Sequence, residues 1–417
     1  MVFGCIMKKW IYLFTIIVIL FFAPVVVCAG GTDDESLSGE VIATQSDAVI
    51  ETASQAALTL QSRSAILLEA SSGKVLYEKN ADEALRPASV TKVMTLLLIF
   101  DEIKAGNLTY EDIVTVSEHA ASMGGSQCFF ESGEQQTVHD MIKCIEVASG
   151  NDAAVAMAEH IAGSEAAFVE LMNEKAASLG MVNTHFENAC GLEAEGHLTS
   201  ARDISIMSRE LICKHPEIIE FSTIWMDSII HKTARGQSQF DLANTNKFLK
   251  QYTGATGLKT GYTSQAKYCI SATANRNGIN LIAVIMGADT KEIRNSEAAM
   301  LLDYGFANCK TYTDSDVLPD DLKIGVKCGV CDYIPYESCK KHEVVIVDGN
   351  PEKIEKKISV YNDIKAPVRK GDIIGVVQYS YDGNLIDEVY IYASEDVDEM
   401  SFSYSLKTIS RRLFLRR

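Results

Sequence analysis

Apolar and polar positions change their rhythm several times along the chain. Two short apolar runs, Ser64–Glu69 and Lys74–Tyr77, flank Ala70-Ser71-Ser72-Gly73 and predict a β-hairpin. A helix is expected to begin near Ser89, just after Pro87, and to run through Val93–Phe100. That stretch is apolar on nearly every face, so the helix should be central and buried. Helical periodicity returns over about Val138–Ile161, Glu165–Leu179 and Ala201–Cys213. From Lys259 the rhythm turns to strands, Tyr268–Ala274 and then Leu281–Met286, and a last helix is expected over about Asn295–Tyr304. Strand, helices, strands and helix in that order predict a mixed α/β domain over residues 56–308.

Residues 309–395 have shorter alternating segments broken by Gly and Pro, among them Val344–Val347, Ile354–Tyr361, Ile373–Tyr379 and Glu388–Tyr392. They predict a small all-β domain. The tail 401–417 is different again. Phe402, Leu406, Ile409 and Leu413 recur at spacings of four, three and four, and Lys407, Arg411, Arg412, Arg416 and Arg417 bring positive charge with no acid among them. A basic amphipathic helix of this kind fits an anionic membrane surface, with docking on its own protein as the alternative.

Two regions precede the folded part. Lys8 and Lys9 followed by the apolar run Trp10–Val27 and by Val27-Cys28-Ala29 predict a cleaved export signal over residues 1–29, with a retained anchor as the alternative. Residues 30–55 are rich in Ser, Thr, Asp, Glu and Gly and are expected to form a linker. Export would place the protein outside the cytoplasmic membrane, at the cell wall.

Composition narrows the function. With 47% apolar and 23% charged residues the 417-residue chain has ample material for a core. A net charge of −18 excludes a general nucleic-acid binder. Of eleven cysteines, Cys5 and Cys28 lie in the signal, and the nine that remain are an odd number, so disulfides expected of an exported protein would leave at least one thiol over. Cys328, Cys331, Cys339 and His342 have loosely zinc-like spacing, but thiols on a β-rich segment are the plainer reading, and we assign no metal and no cofactor.

The chemistry is carried by three short motifs. Ser-x-x-Lys occurs four times, at Ser71–Lys74, Ser89–Lys92, Ser264–Lys267 and Ser338–Lys341; only Ser89–Lys92 opens a long apolar helix. There the i+3 spacing puts the amine on the face of the hydroxyl. A serine hydroxyl is a poor nucleophile until a base takes its proton, and a lysine kept neutral by burial or a nearby cation can do so. Ser149-Gly150-Asn151 is the one Ser-x-Asn, a polar break within an apolar helical stretch, suited to lining a cleft. Lys259-Thr260-Gly261 occurs once, at a strand start, where a lysine can receive a carboxylate and a glycine lets a substrate backbone approach. Taken singly, each has an ordinary alternative: a helix cap, a loop between helices, a turn. Their order, at separations of 60 and 110 residues, and their contexts argue for one site.

The surrounding residues add a family resemblance. Arg86-Pro87-Ala88-Ser89-Val90-Thr91-Lys92-Val93-Met94-Thr95, Val147-Ala148-Ser149-Gly150-Asn151-Asp152-Ala153-Ala154 and Gly257-Leu258-Lys259-Thr260-Gly261-Tyr262-Thr263 resemble the three blocks of the low-molecular-mass penicillin-binding proteins, the serine D-alanyl-D-alanine carboxypeptidases. Gly191–His197, Asn244-Thr245-Asn246 and Ile364–Gly371 match its texture too, over about residues 60–395, and the sporulation-associated branch is the most similar. The resemblance implies a β-lactamase/transpeptidase-like domain with a helical subdomain, and removal of the terminal D-alanine from peptidoglycan peptides through an acyl-enzyme that β-lactams also form. It implies that Ser89 is the nucleophile, Lys92 its base, and Ser149 a proton relay. Asn151 would contact the substrate amide, Lys259 and Thr260 of the Lys-Thr-Gly block (with Gly261) would hold the terminal carboxylate region, and Arg294 would assist. The backbone N–H groups of Ser89 and Tyr262 would form the oxyanion hole. A β-lactamase and a decayed wall-binding scaffold remain as alternatives. Against the first, neither Glu187 nor Glu193 sits in a deacylating loop; against the second, the motifs are intact.

Overall fold

The computed structural model describes residues 58–337 and 339–414. The readings of residues 1–29 and 30–55 therefore lie outside the described residues, apart from nothing more than their sequence.

At the centre is a five-stranded antiparallel sheet of order β2-β1-β9-β8-β7, built from β1 (Ser64–Glu69), β2 (Val75–Lys79), β7 (Ala255–Thr263), β8 (Lys267–Arg276) and β9 (Ile279–Ala288). Successive side chains of a strand point to opposite faces. Hence Ala65 and Leu67 join one core with Leu281, Ala283 and Ile285, while Ile66 and Leu68 join another with Ile282, Val284 and Met286. A sheet covered on both faces explains why these strands read as unbroken apolar runs rather than alternations.

The first face is covered by a long helix, Lys291–Asn308, whose start is capped by Thr290 accepting from the Ile293 N–H. On the second face lies a group of helices: α1 (Lys92–Ala105), the short α2 (Glu118–Ala121), α3 (Val138–Glu146), α4 (Asn151–Ala162), α5 (Glu165–Ser178), α6 (Ala201–Lys214) and α7 (Ile218–Ser222), while the short α8 (Phe248–Gln251) packs Phe248 into the core of the first face. The long helix is then α9. Ser117, Thr137, Ser164 and Ser200 each accept a backbone N–H at the head of α2, α3, α5 and α6, which satisfies donors a helix cannot satisfy itself. The start of α1 is as expected, and its buried residues run from Lys92 to Phe100 apart from Leu98. The stretch expected as helical over Val138–Ile161 is two helices parted at Val147–Gly150.

Two small two-stranded sheets were not legible as elements. β3 (Ile113–Thr115) pairs β4 (Gln135–Thr137), and β5 (Met226–Thr233) pairs β6 (Gly236–Ala243). Residues of β5 and β6 are mostly exposed, so no apolar period marks them.

From Cys309 to the last helix the regular structure is strands apart from a 3-10 turn at Pro351–Lys353, joined by irregular segments. β10 (Cys309–Asp314) pairs β11 (His342–Val347); β12 (Ile354–Val360), β13 (Ile373–Tyr381) and β14 (Asn384–Tyr392) form an antiparallel sheet. Asp382 and Gly383, both at positive φ, turn β13 into β14. The core here is Val317, Ile324, Ile334, Val344, Val377 and Ile391 around a buried Tyr379, whose hydroxyl donates to Asp314 at 2.8 Å. The last helix, α10 (Phe402–Phe414), leaves Phe402, Leu406 and Ile409 exposed and touches the β-rich part through Tyr404, which donates to the Val330 carbonyl at 3.1 Å. Among the described residues no helix is long and apolar enough to cross a membrane.

The disulfides that export suggested are not formed. All nine described cysteines are free, and Cys128, Cys144, Cys190, Cys269 and Cys309 are buried as small apolar side chains. His342 Nε2 donates to the Asp387 carboxylate (2.8 Å), and the ring stacks on Tyr379.

Candidate active site

Ser89 lies in a single 3-10 turn, Ala88–Thr91, directly ahead of α1. The turn is held in an unusual shape. Ala88 has φ +48°, its carbonyl accepts from the Thr91 hydroxyl (2.9 Å), and Gly191 packs so closely that a Cβ there would stand 1.9 Å from the Ala88 oxygen. Since the Thr91 proton is used on Ala88, His197 Nε2 must donate to Thr91 Oγ1 (2.8 Å), and its Nδ1 accepts from the Glu187 N–H. Burial, with His185 and Arg86 adding to it, takes the His197 pKa down to about 4, in keeping with a neutral ring of that tautomer.

One turn on, Lys92 is fully buried. Its Nζ lies 3.2 Å from Ser89 Oγ, 2.6 Å from Asn151 Oδ1 and 2.7 Å from the Cys190 carbonyl. Burial takes its pKa down to about 7; the Cys190 thiol opposes this, Lys259 adds to it, and Asp152 and Cys128 oppose it. A neutral amine has two N–H groups and one lone pair. The two carbonyl oxygens satisfy the N–H groups, which leaves the lone pair facing the Ser89 hydroxyl. That is the arrangement needed to take a proton from the hydroxyl.

The break between α3 and α4 supplies the second side. Ser149 sits at φ +60°, a conformation that a non-glycine residue holds only when its surroundings impose it. Gly150 N–H donates to the Cys144 carbonyl and Asn151 N–H to the Ser126 carbonyl. The Asp152 carboxylate accepts from the Cys128 and Phe130 N–H groups and ties the same loop. Ser149 Oγ is buried and makes no hydrogen bond.

The third side is β7, the edge of the sheet. A Cβ on Gly261 would meet the Pro87 carbonyl at 2.8 Å and the Ser89 nitrogen at 3.0 Å, so the strand can lie against the serine turn only with glycine there.

Together these walls enclose a cleft of about 820 Å³ lined by Ser89, Ser149, Thr260, Gly261, Tyr262 and Arg294, among others. Arg294, on α9, is buried, donates from Nε to Asn295 Oδ1 (2.9 Å) and lies near the Tyr268 ring. Lys92, Asn151 and Lys259 stand behind the lining rather than on it. Asn151 is engaged at both ends, Oδ1 by Lys92 and Nδ2 donating to the Gly124 carbonyl at 2.6 Å. It therefore orients Lys92 here, and a contact to a substrate amide would require one of those bonds to be exchanged.

Comparison with known proteins places the chain in a family. A family model described as D-alanyl-D-alanine carboxypeptidase, Peptidase S11, matches residues 50–290, and the penicillin-binding protein 5 C-terminal domain matches residues 306–399. The chain belongs to the Peptidase S11 family of D-alanyl-D-alanine carboxypeptidases. The carboxypeptidase DacF of Bacillus subtilis is 42% identical over 337 residues, covering 81% of this chain and 86% of that protein. DacA of Escherichia coli is 32% identical, with 80% and 82% covered. Penicillin-binding protein 5 from Haemophilus influenzae superposes with a TM-score of 0.62 at 30% identity, over 82% of this chain and 99% of that one. The mixed α/β fold, the serine peptidase class and the D-alanyl-D-alanine carboxypeptidase activity expected from the motifs hold, and the β-lactamase and decayed-scaffold alternatives fall away.

Sequence reasoning missed several parts of this carboxypeptidase's site. The Cys190 carbonyl is an oxygen of the backbone, which no motif can encode. Gly191 and His197 were seen only as family texture, although they shape the serine turn.

Proposed function

We propose that this carboxypeptidase removes the terminal D-alanine through an acyl-enzyme on Ser89. The single observation that carries the reading is the buried amine of Lys92, 3.2 Å from Ser89 Oγ, with its other hydrogen bonds satisfied by Asn151 and Cys190. Lys92 takes the hydroxyl proton as Ser89 attacks the carbonyl of the penultimate D-alanine. The developing oxyanion is received by the N–H groups of Ser89 and Tyr262; the close packing of β7 on the serine turn supports this pair. One such donor contributes roughly 3–4 kcal/mol to the transition state. Ser149, with an unbonded hydroxyl on the cleft wall, passes a proton to the leaving D-alanine. Thr260, beside Gly261 on the cleft wall, holds the carboxylate, with the buried Lys259 behind it and Arg294 on α9 adding positive charge. Water then releases the shortened peptide.

Penicillin-binding proteins bind β-lactams and peptides ending in D-Ala-D-Ala. We extend this to location: export through residues 1–29, and peripheral attachment to the outer face of the membrane through residues 401–417. The exposed Phe402, Leu406 and Ile409 on one stripe of α10 support the attachment. The test of the function is D-alanine release from a peptide ending in D-Ala-D-Ala. The wild type should release it and Ser89→Ala should not; equal release by both would refute the reading.

A further inference from the structure

Gly191 and Gly261 flank the two ends of one peptide group, the one that joins Ala88 to Ser89. A Cβ on Gly191 would stand 1.9 Å from the Ala88 oxygen, and a Cβ on Gly261 would stand 3.0 Å from the Ser89 nitrogen. The group is planar and trans, so its carbonyl and its N–H point in opposite directions. The carbonyl faces the 187–197 loop, and the N–H faces β7 beside the cleft that Ser89 and Gly261 line. Among the described residues no hydrogen bond uses that N–H.

The carbonyl end is tied into a chain of hydrogen bonds that runs back into the protein. The Glu187 N–H donates to His197 Nδ1 (3.0 Å), His197 Nε2 donates to Thr91 Oγ1 (2.8 Å), and Thr91 Oγ1 donates to the Ala88 oxygen (2.9 Å). Every bond runs in the same direction, so each one strengthens the next. Thr91 and His197 are both buried, which keeps water from taking their places. The origin of the chain is fixed as well. Asn188 Oδ1 accepts from the Gly191 and Leu192 N–H groups, Arg86 donates to the Ala194 carbonyl at 2.7 Å, and the His197 ring packs edge-on against Phe186. The serine turn does not need the chain in order to close, because the Val90 N–H already donates to the Pro87 carbonyl (3.2 Å). What the chain does hold is Ala88, whose φ of +48° a residue with a Cβ keeps only under constraint from its surroundings.

We propose that Thr91 and His197 are positioning residues for the oxyanion: the chain through them to the Ala88 carbonyl fixes and polarises the peptide group whose other end is the Ser89 N–H. The inference rests on that N–H receiving the oxyanion. A donor lowers the barrier only if it already points to where negative charge will develop. Without the Thr91 hydroxyl the Ala88–Ser89 peptide is free to rotate out of its left-handed strain, and the N–H turns with it. An amide whose oxygen accepts a hydrogen bond is also a stronger donor at its nitrogen. Lys92 stands outside the chain, held by Ser89, Asn151 and Cys190, so breaking the chain leaves the base in place.

The experiment is stopped-flow acylation of the purified enzyme by labelled penicillin. Steady-state kinetics on an N-acetylated peptide ending in D-Ala-D-Ala run alongside, and folding is checked by Tm. Thr91→Val keeps the shape and removes the hydroxyl; His197→Phe keeps a ring against Phe186 and removes both hydrogen bonds. Each should slow acylation at least about tenfold, a misaimed donor costing less than the loss of one outright. Thr91→Ser and His197→Gln, which keep a donor and an acceptor in place, should recover most of the rate. Because His197 acts only through Thr91, the Thr91→Val/His197→Phe double variant should be about as slow as Thr91→Val alone. Acylation within about twofold of wild type in both single variants, or a double variant whose loss is the product of the two, overturns the proposal. If one variant does not fold, the other and its conservative partner decide. Gly261→Ala separates the two readings. If it acylates at the wild-type rate, the Ser89 N–H does not receive the oxyanion; if it is slow while the Thr91 and His197 variants are not, only the positioning role fails.

Discussion

Lys92 Nζ and Ser89 Oγ lie 3.2 Å apart across one turn at the head of α1, and the amine's remaining hydrogen bonds end on oxygens that never ionise, Asn151 Oδ1 and the Cys190 carbonyl. The amine is thereby given acceptors without a carboxylate of its own. Burial can then lower its pKa to about 7, where a general base for neutral conditions belongs.

That value sets a pH dependence. Lys92 accepts a proton only when neutral, so protonated enzyme is inactive and activity is present above the pKa. The second-order rate of acylation by penicillin should fall about tenfold per pH unit as pH drops below about 7, and level off above it. A rate flat from pH 5 to 7 would contradict Lys92 as the base.

Lys92→Ala removes the base and leaves Asn151 Oδ1 and the Cys190 carbonyl buried without their donor. Acylation should slow by several orders of magnitude, well beyond what about 1–3 kcal/mol per orphaned polar group would produce by loosening the site alone. A loss of only a few-fold, measured by stopped-flow with labelled penicillin, would rule out the role.

The serine turn depends on two close approaches that a methyl group would block. Gly191→Ala places a Cβ against the Ala88 carbonyl and demands φ +87° from a side-chain-bearing residue. It should lower stability by at least about 2 kcal/mol, a fall in Tm of roughly 5 °C or more by calorimetry. Gly261→Ala presses on Pro87 and on the Ser89 nitrogen without a positive φ. It should spare most of the stability yet slow acylation at least about tenfold, because the displaced N–H groups are those assigned to the oxyanion.

Deletion of residues 401–417 tests the attachment. The truncated mature protein should leave the membrane fraction for the soluble one; retention would place the anchor elsewhere.

How much of this could be read from the chain divides along physical lines. Ser89, Lys92, Ser149 and Lys259 were legible because their chemistry needs particular side chains at helix-turn or strand spacing. The β1, β8 and β9 strands and α1 were legible because burial on all sides leaves long apolar runs. The β5–β6 hairpin was not, because exposed strands carry no period; the break at Ser149-Gly150-Asn151 was legible as a polar interruption of the helical stretch, but the left-handed conformation of Ser149 was not, since only tertiary contacts impose it.

The central claim is that Ser89 carries the acyl group. Intact-mass measurement after incubation with penicillin, followed by peptide mapping, tests it most directly. The account predicts a single adduct of the drug's full mass on the peptide containing Ser89, absent in Ser89→Ala. An adduct on any other residue, or none on folded wild-type protein, would contradict it.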